Sequence, residues 1–216
     1  MYHRITRLLK LLLGLLLYAI GIALSLKANI GYSPWDVFHA GLASVTGLSI
    51  GLASILTGLV IVIVVLILKE KLGAGTILNM VIVGVCLDII LWLNIIPLAT
   101  NIILGTVMLI LGLFIIALGT YFYMSSALGA GPRDSMMVAI TRKTKLPVGV
   151  CRAIIELIAM VIGWLLGGMV GIGTIISVLS IGFCIQLTFK LLKFDPTTIQ
   201  HETLEQTWKH FSKAKT

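Results

Sequence analysis

The chain has 216 residues, 59% of them hydrophobic and 11% charged, with a mean hydropathy of +1.12. Soluble domains are about 45–50% apolar and about 25% charged, so a soluble enzyme or a soluble nucleic-acid-binding domain is excluded. The formal net charge of +8 reads instead as an orientation signal, because Lys and Arg accumulate in the cytoplasmic loops of membrane proteins.

In chain order, Arg4, Arg7 and Lys10 open the first apolar run, Leu8–Leu26. A shorter stretch follows, Pro34–Val45, helical in character. The second run, Ile50–Leu68, ends at Lys69 and Lys71. The third and fourth, Thr76–Ile96 and Ile102–Met124, meet in a loop without basic residues. A second short stretch, Pro132–Ile140, sits among Arg133, Arg142, Lys143 and Lys145. The fifth and sixth runs, Val150–Leu166 and Thr174–Leu192, are joined by Gly167–Gly173 and closed by Lys190 and Lys193. Asp195-Pro196 then breaks the helix, and the polar tail 194–216 carries Leu204, Trp208 and Phe211 at helical spacing. That spacing suits a short amphipathic helix on the inner membrane surface, or a frayed tail.

A span needs roughly 20 residues of helix, which the six long runs approach. The short stretches rise about 1.5 Å per residue and reach less than two-thirds of the hydrocarbon core. They read as half-helices, re-entrant or interfacial. With six spans every basic cluster falls on one side, which predicts cytoplasmic N- and C-termini; Lys27 is the exception. The first run is longer than the about 7–15 apolar residues of a signal peptide and has no clear A-x-A site, so it is expected to be retained. Cys86, Cys151 and Cys184 all fall in apolar stretches and read as small apolar residues, with no disulfide or metal-site spacing.

The chain also repeats itself. Gly31-Tyr32-Ser33-Pro34-Trp35-Asp36 matches Gly129-Ala130-Gly131-Pro132-Arg133-Asp134 at an offset of 98 (34 to 132). The same offset pairs Gly14 with Gly112 and Gly21 with Gly119. It also pairs Gly73-Ala74-Gly75-Thr76-Ile77 with Gly171-Ile172-Gly173-Thr174-Ile175, and Cys86 with Cys184. Each unit holds three spans and one half-helix. Three is odd, so the second unit enters the membrane in the opposite sense, as in many secondary transporters. The predicted fold is therefore an all-α membrane helix bundle with a 3+3 inverted-topology repeat: residues 1–96, residues 97–193 and the tail.

Corresponding short, Gly/Pro-interrupted segments in two such halves are a pointer to a binding site. Ser33 suits an N-cap, Pro34 the first helical position, and Asp36 a carboxylate returned to free N–H groups; Gly131-Pro132-Arg133-Asp134 repeats the plan. Each Asp either caps its own half-helix or faces a central cavity. Thr76 and Thr174 are expected to cap the third and sixth spans. An ionisable residue inside the bilayer costs about 2.5–3.5 kcal/mol by insertion scales, so Asp88, Arg152 and Glu156 carry weight. Arg152 and Glu156 stand i,i+4 and can pair. Asp88 lies 12 residues into its span without a local partner, which makes Arg133 or Arg152 the expected counter-charge. Asn79 and Ser177 form a matched polar pair, and His39 with Trp35 reads as an interface or a vestibule rather than as chemistry.

The motifs Ala28–Asp36, His39-Ala40-Gly41-Leu42, Gly75–Asn79, Leu128–Asp134, Arg152, Glu156 and Gly167–Thr174 resemble the bacterial YczE/YyaS/YitT family of integral membrane proteins, its YczE branch in particular. The resemblance covers about Leu11 to Lys193 and implies a bacterial cytoplasmic-membrane protein; it supplies no catalytic or binding residue.

The leading expectation is a small-solute transporter or permease component with its site between the half-helices, formed by Asp36, Asp134, Asp88, Arg133, Arg152, Glu156 and Asn79. The alternative is a non-transporting membrane protein that regulates or assembles another complex, in which the buried charges are structural pairs. The expected partners are the lipid bilayer and a small molecule or ion, with no nucleic acid. No catalytic motif, cofactor or metal is expected.

Overall fold

Hydrocarbon offers the backbone no hydrogen bonds, so a chain crossing it must satisfy each N–H and C=O within its own segment. In the computed structural model, which describes residues 2–199, 201–204 and 206, every apolar run is accordingly a helix. The helices are α1 (Tyr2–Lys27), α2 (Pro34–Thr46), α3 (Ile50–Ile67), α4 (Ala74–Leu93), α5 (Ile102–Ser125), α6 (Pro132–Thr144), α7 (Val148–Leu165) and α8 (Ile172–Leu191). No strand occurs among the described residues. Six of the eight are long and apolar enough to cross a membrane: α1 from Ile5, α3, α4, α5, α7 and α8. Their outward surface is apolar, with Val60, Ile67, Ile103, Leu165 and Leu179 each at least 60% exposed, as lipid contact requires.

The short helices have 13 residues each. α2 ends at Gly47 in the left-handed region, φ 73°, and α6 at Lys145, φ 59°. α6 runs four residues past the expected Ile140, because Thr141, Arg142, Lys143 and Thr144 end the apolar pattern without disfavouring helix. Beyond α8 the chain makes a 3₁₀ turn at Pro196–Thr198. Of the expected amphipathic tail helix, Leu204 and Gln206 are helical, while Trp208 and Phe211 lie outside the described residues.

Contacts define two faces. On one, here the terminal face, Arg7 donates to the Ser126 and Ala127 carbonyls at 2.7 and 2.9 Å and pairs with Glu202 at 3.0 Å. Leu204 N–H reaches the Leu72 carbonyl there, and Arg142 grips Glu70. On the far face, Ala99 N–H donates to the Lys27 carbonyl, Lys27 Nζ to Asn94 Oδ1 at 2.6 Å, and Gly173 N–H to the Ile30 carbonyl.

The helices fall into two groups. α1, α4, α5 and α8 pack on one another around the fully buried Leu11, Leu15, Leu109 and Leu113. The α1–α5 crossing is close enough that a Cβ on Gly14 would lie 2.8 Å from the Gly119 carbonyl, and one on Gly21 2.7 Å from that of Gly112. Small residues permit this approach, and van der Waals contact rather than water exclusion drives it within lipid. α2, α3, α6 and α7 form the second group, α2 against α7 and α3 against α6. The groups meet chiefly through α4, which receives α3 and, more lightly, α6. The starts of α2, α3 and α4 (34, 50, 74) and of α6, α7 and α8 (132, 148, 172) keep the 98-residue spacing of the sequence motifs.

Candidate functional site

A cavity of about 420 Å³ lies between the two helix groups. α4 contributes Asn79 and Val83 from its first half, α5 Thr120 and Tyr123 from its last half, α7 Arg152 and Glu156 from its first, and α8 Ile185 and Phe189 from its last. Each of these is the half nearer the terminal face. Tyr18 and Ile22 of α1 and Ser54 and Thr57 of α3 come from the far-face halves of their helices, so the cavity reaches past the middle of the bundle and is weighted toward the terminal face.

α2 and α6 supply the most polar part of the wall. Pro34 and Pro132 occupy the first helical turn, where a missing N–H costs nothing. From α2, Trp35 and His39 line the cavity one helical turn apart; from α6, the stretch from Gly131 to Asp134 does so. Arg133 holds its guanidinium carbon 4.6 Å from the Trp35 ring centroid, a cation–π contact. Its Nη2 stands 3.3 Å from His39 Nε2. Because an arginine can only donate, this His39 nitrogen accepts and Nδ1 bears the proton. Nδ1 lies 3.8 Å from Asp36 Oδ1, and Ser33 Oγ donates to Asp36 Oδ2 at 2.5 Å. Asp36 and His39 are 2% and 1% exposed. A continuous polar chain thus runs from Ser33 through Asp36 and His39 to Arg133. On the other side, Tyr123 donates to Asp134 Oδ2 at 2.7 Å, and Tyr18 packs edge-on against Tyr123. Arg152 and Glu156 pair at 2.9 Å, as their spacing predicts.

Of the expected site residues, the structure brings Asn79, Arg133, Asp134, Arg152 and Glu156 to the cavity wall. Asp36 sits behind that wall through His39. Asp88 does not join them. Its carboxylate accepts from Ser49 Oγ and, at 2.8 Å, from Gly51 N–H, so the N-terminus of α3 replaces the expected arginine. The reason is position: Asp88 is five residues from the far-face end of α4, where the free N–H groups that open α3 attract a carboxylate. Ser33 and Asp36 make no side-chain cap to α2; they bond each other. Thr76 does not cap α4 but donates to the Ala130 carbonyl at 2.6 Å, holding the approach to α6. Its counterpart Thr174 accepts from Gly171 N–H, as expected. His39, expected with Trp35 at an interface or vestibule, lines the cavity beside it and is buried between Asp36 and Arg133. Ser177 is buried, its hydroxyl without a partner among the described residues, and does not line the cavity with Asn79.

Tyr18, Tyr123 and His201 line the cavity as well and escaped the sequence reading. The two tyrosines stand inside apolar runs; the one signal was a hydroxyl where lipid offers no partner. His201 belongs to the tail. No group of three or more His, Cys, Asp or Glu suited to a metal ion occurs among the described residues.

Six apolar spans around a largely apolar cavity that gathers Arg133, Asp134, Arg152 and Glu156 on its wall define a multi-pass membrane protein. Residues 5–190 match a family of unknown function, DUF6198, and the chain belongs to that family. It is 34% identical over 182 residues to an uncharacterized protein of Haemophilus influenzae, covering 84% of this chain and 83% of that one. It is also 36% identical over 178 residues to the uncharacterized membrane protein YczE of Bacillus subtilis, covering 81% of each. The uncharacterized protein YyaS of the same organism is 28% identical over 171 residues, covering 77% of this chain and 84% of the relative. These relatives agree with the resemblance carried by the Gly31–Asp36 and Gly129–Asp134 motifs. No solved structure matches.

Proposed function

We propose that this protein is a small-solute transporter or permease component of the bacterial cytoplasmic membrane, built from two three-span units of opposite orientation, with both termini cytoplasmic. The observation that carries the reading is the cavity itself. α2 and α6 open at matched Pro-x-Asp motifs, come from different halves of the chain, and bring Trp35, His39, Arg133 and Asp134 together on the wall of one cavity. Such convergence of two short helices is the site geometry of inverted-repeat transporters. A protein whose buried charges serve only as structural pairs has no use for a cavity there.

The arrangement favours a solute that presents an anionic group. Among the described residues, Arg133 has no carboxylate within 4.0 Å. The opening N–H groups of α6 have no side-chain cap and add their own attraction for negative charge. Glu156 is paired with Arg152, while Asp134 accepts the Tyr123 hydroxyl and keeps its charge in the first turn of α6, so the anion preference rests on Arg133. The test is flux into proteoliposomes across a panel of small carboxylates, phosphates, amino acids and neutral polyols, with and without a pH gradient. Saturable uptake of an anionic solute is expected, lowered about 10- to 100-fold by Arg133→Gln, the range for losing a charge-assisted hydrogen bond. Absence of saturable flux for the whole panel would overturn the proposal.

A further inference from the structure

We infer that the structure is one end state of a rocking cycle, open toward the terminal face and latched at the far face by Asp88; this rests on the transport reading and states how access to the same cavity is controlled.

Three observations carry it. The first is the weighting of the cavity toward the terminal face: α4, α5, α7 and α8 line it mainly from their terminal-face halves and His201 borders it there, while Tyr18 and Ile22 of α1 and Ser54 and Thr57 of α3 carry it past the middle of the bundle. The second is an inequality between matched helix pairs. α4 rests on α1 as α8 rests on α5, so the frame is alike on both sides; yet α3 packs on α4 whereas α7 forms no comparable interface with α8. The third is at the level of atoms. A Cβ on Gly51 would lie 2.1 Å from the Gly84 carbonyl, closed backbone against backbone, while Gly149 and Gly182, their counterparts 98 residues on, have nothing within 4 Å of theirs. The second helix group therefore leans on α4 and stands away from α8.

The latch occupies the closed side only. Asp88 accepts the Gly51 N–H and the Ser49 hydroxyl, tying α4 of the frame to the start of α3. The corresponding positions of the second half are Gln186, Gly149 and Pro147, which offer neither a carboxylate nor a hydroxyl. In the other end state the Asp88 bonds break, α7 closes on α8 at Gly149 and Gly182, and the cavity is exposed at the far face. Because only one side has a carboxylate latch, the terminal-face-open state is the resting one.

The experiment is disulfide formation between Gly149→Cys and Gly182→Cys in full-length protein whose Cys86, Cys151 and Cys184 are replaced by alanine, reconstituted in lipid and oxidised with copper phenanthroline. With Asp88 present, the yield is low. Asp88→Ala releases both latch bonds and raises the initial rate about tenfold, the shift expected from losing two such bonds. Ser49→Ala, which keeps the carboxylate and its Gly51 bond, raises it about threefold and serves if the first variant does not fold. Equal rates with and without the latch overturn the inference, whether uniformly high or uniformly low. The assay needs no substrate. A latch-dependent rate in a protein that moves no solute counts against the transport reading alone, and saturable flux with latch-independent rates counts against the latch alone.

Discussion

Arg133 carries its charge in a place where an unpaired cation is expensive, and three neighbours lower that cost without neutralising it. The Trp35 ring offers the negative face of its π system, His39 accepts one N–H, and Asp36 stands behind His39. A carboxylate in direct contact would have closed the site to anions; one placed a residue further back leaves the guanidinium available. The glycines show the same economy of position. Gly14 faces the Tyr123 N–H at 2.5 Å and the Gly119 carbonyl at 2.8 Å from where a Cβ would sit. Gly14→Ala must therefore separate α1 from α5, at about 1–3 kcal/mol. Gly182 faces open space in the middle of α8, so Gly182→Ala gains about 0.5–1 kcal/mol of helix propensity. Thermal unfolding in detergent should place the two variants on opposite sides of the wild type.

At the scale of elements, the tail after α8 is tied to the bundle by backbone as well as side chains. Glu202 N–H donates to the Ala127 carbonyl and Leu204 N–H to that of Leu72, each at 2.8 Å, while Arg7 pairs with Glu202. These bonds hold His201 against the cavity with its Nδ1 buried and unpartnered among the described residues. Burial pushes the His201 imidazole below its ordinary value, against a smaller opposing pull from Asp134. A docked His201 thus binds fewer protons than a free one, so docking is at full strength above about pH 6.5 and weakens as pH falls below it. Hydrogen exchange at the Glu202 and Leu204 amides, corrected for intrinsic rates, should accelerate between about pH 7.5 and about pH 5. His201→Gln should flatten that dependence.

For the whole molecule, the glycine contacts of α1 and α5 are reciprocal: Gly14 meets Gly119 and Gly21 meets Gly112, so exchanging each residue for its partner 98 positions away returns the same set. Gly31 against Gly171 and Gly129 against Gly73 behave alike. Such reciprocity is what an isologous interface gives, and it supports the proposed pairing of two inverted units within one chain. Cutting the loop between Leu93 and Ile102 and co-expressing the two pieces should give a complex that copurifies; pieces that elute separately would show that the connection, not the packing, holds the halves together. Much of this architecture was legible in the sequence. Hydropathy marked the six long helices, since lipid leaves the backbone no alternative, and Pro34 and Pro132 marked the start of α2 and α6. What was hidden depended on contacts between distant segments. No spacing announces that Ser49 and Gly51 lie beside Asp88, that Tyr123 serves Asp134, or that His39 is sealed under Arg133. Within the site, Arg152 and Glu156 were legible because their partnership is local, one helical turn apart.

The family match stops at residue 190, yet one wall of the cavity is His201. The bundle that shapes the cavity and the segment that borders it thus lie on opposite sides of that limit. Relatives sharing these eight helices can differ in what stands at position 201, and so in what borders the cavity, without a single change in the bundle. Membership read from the bundle alone therefore leaves open what borders the cavity at that edge.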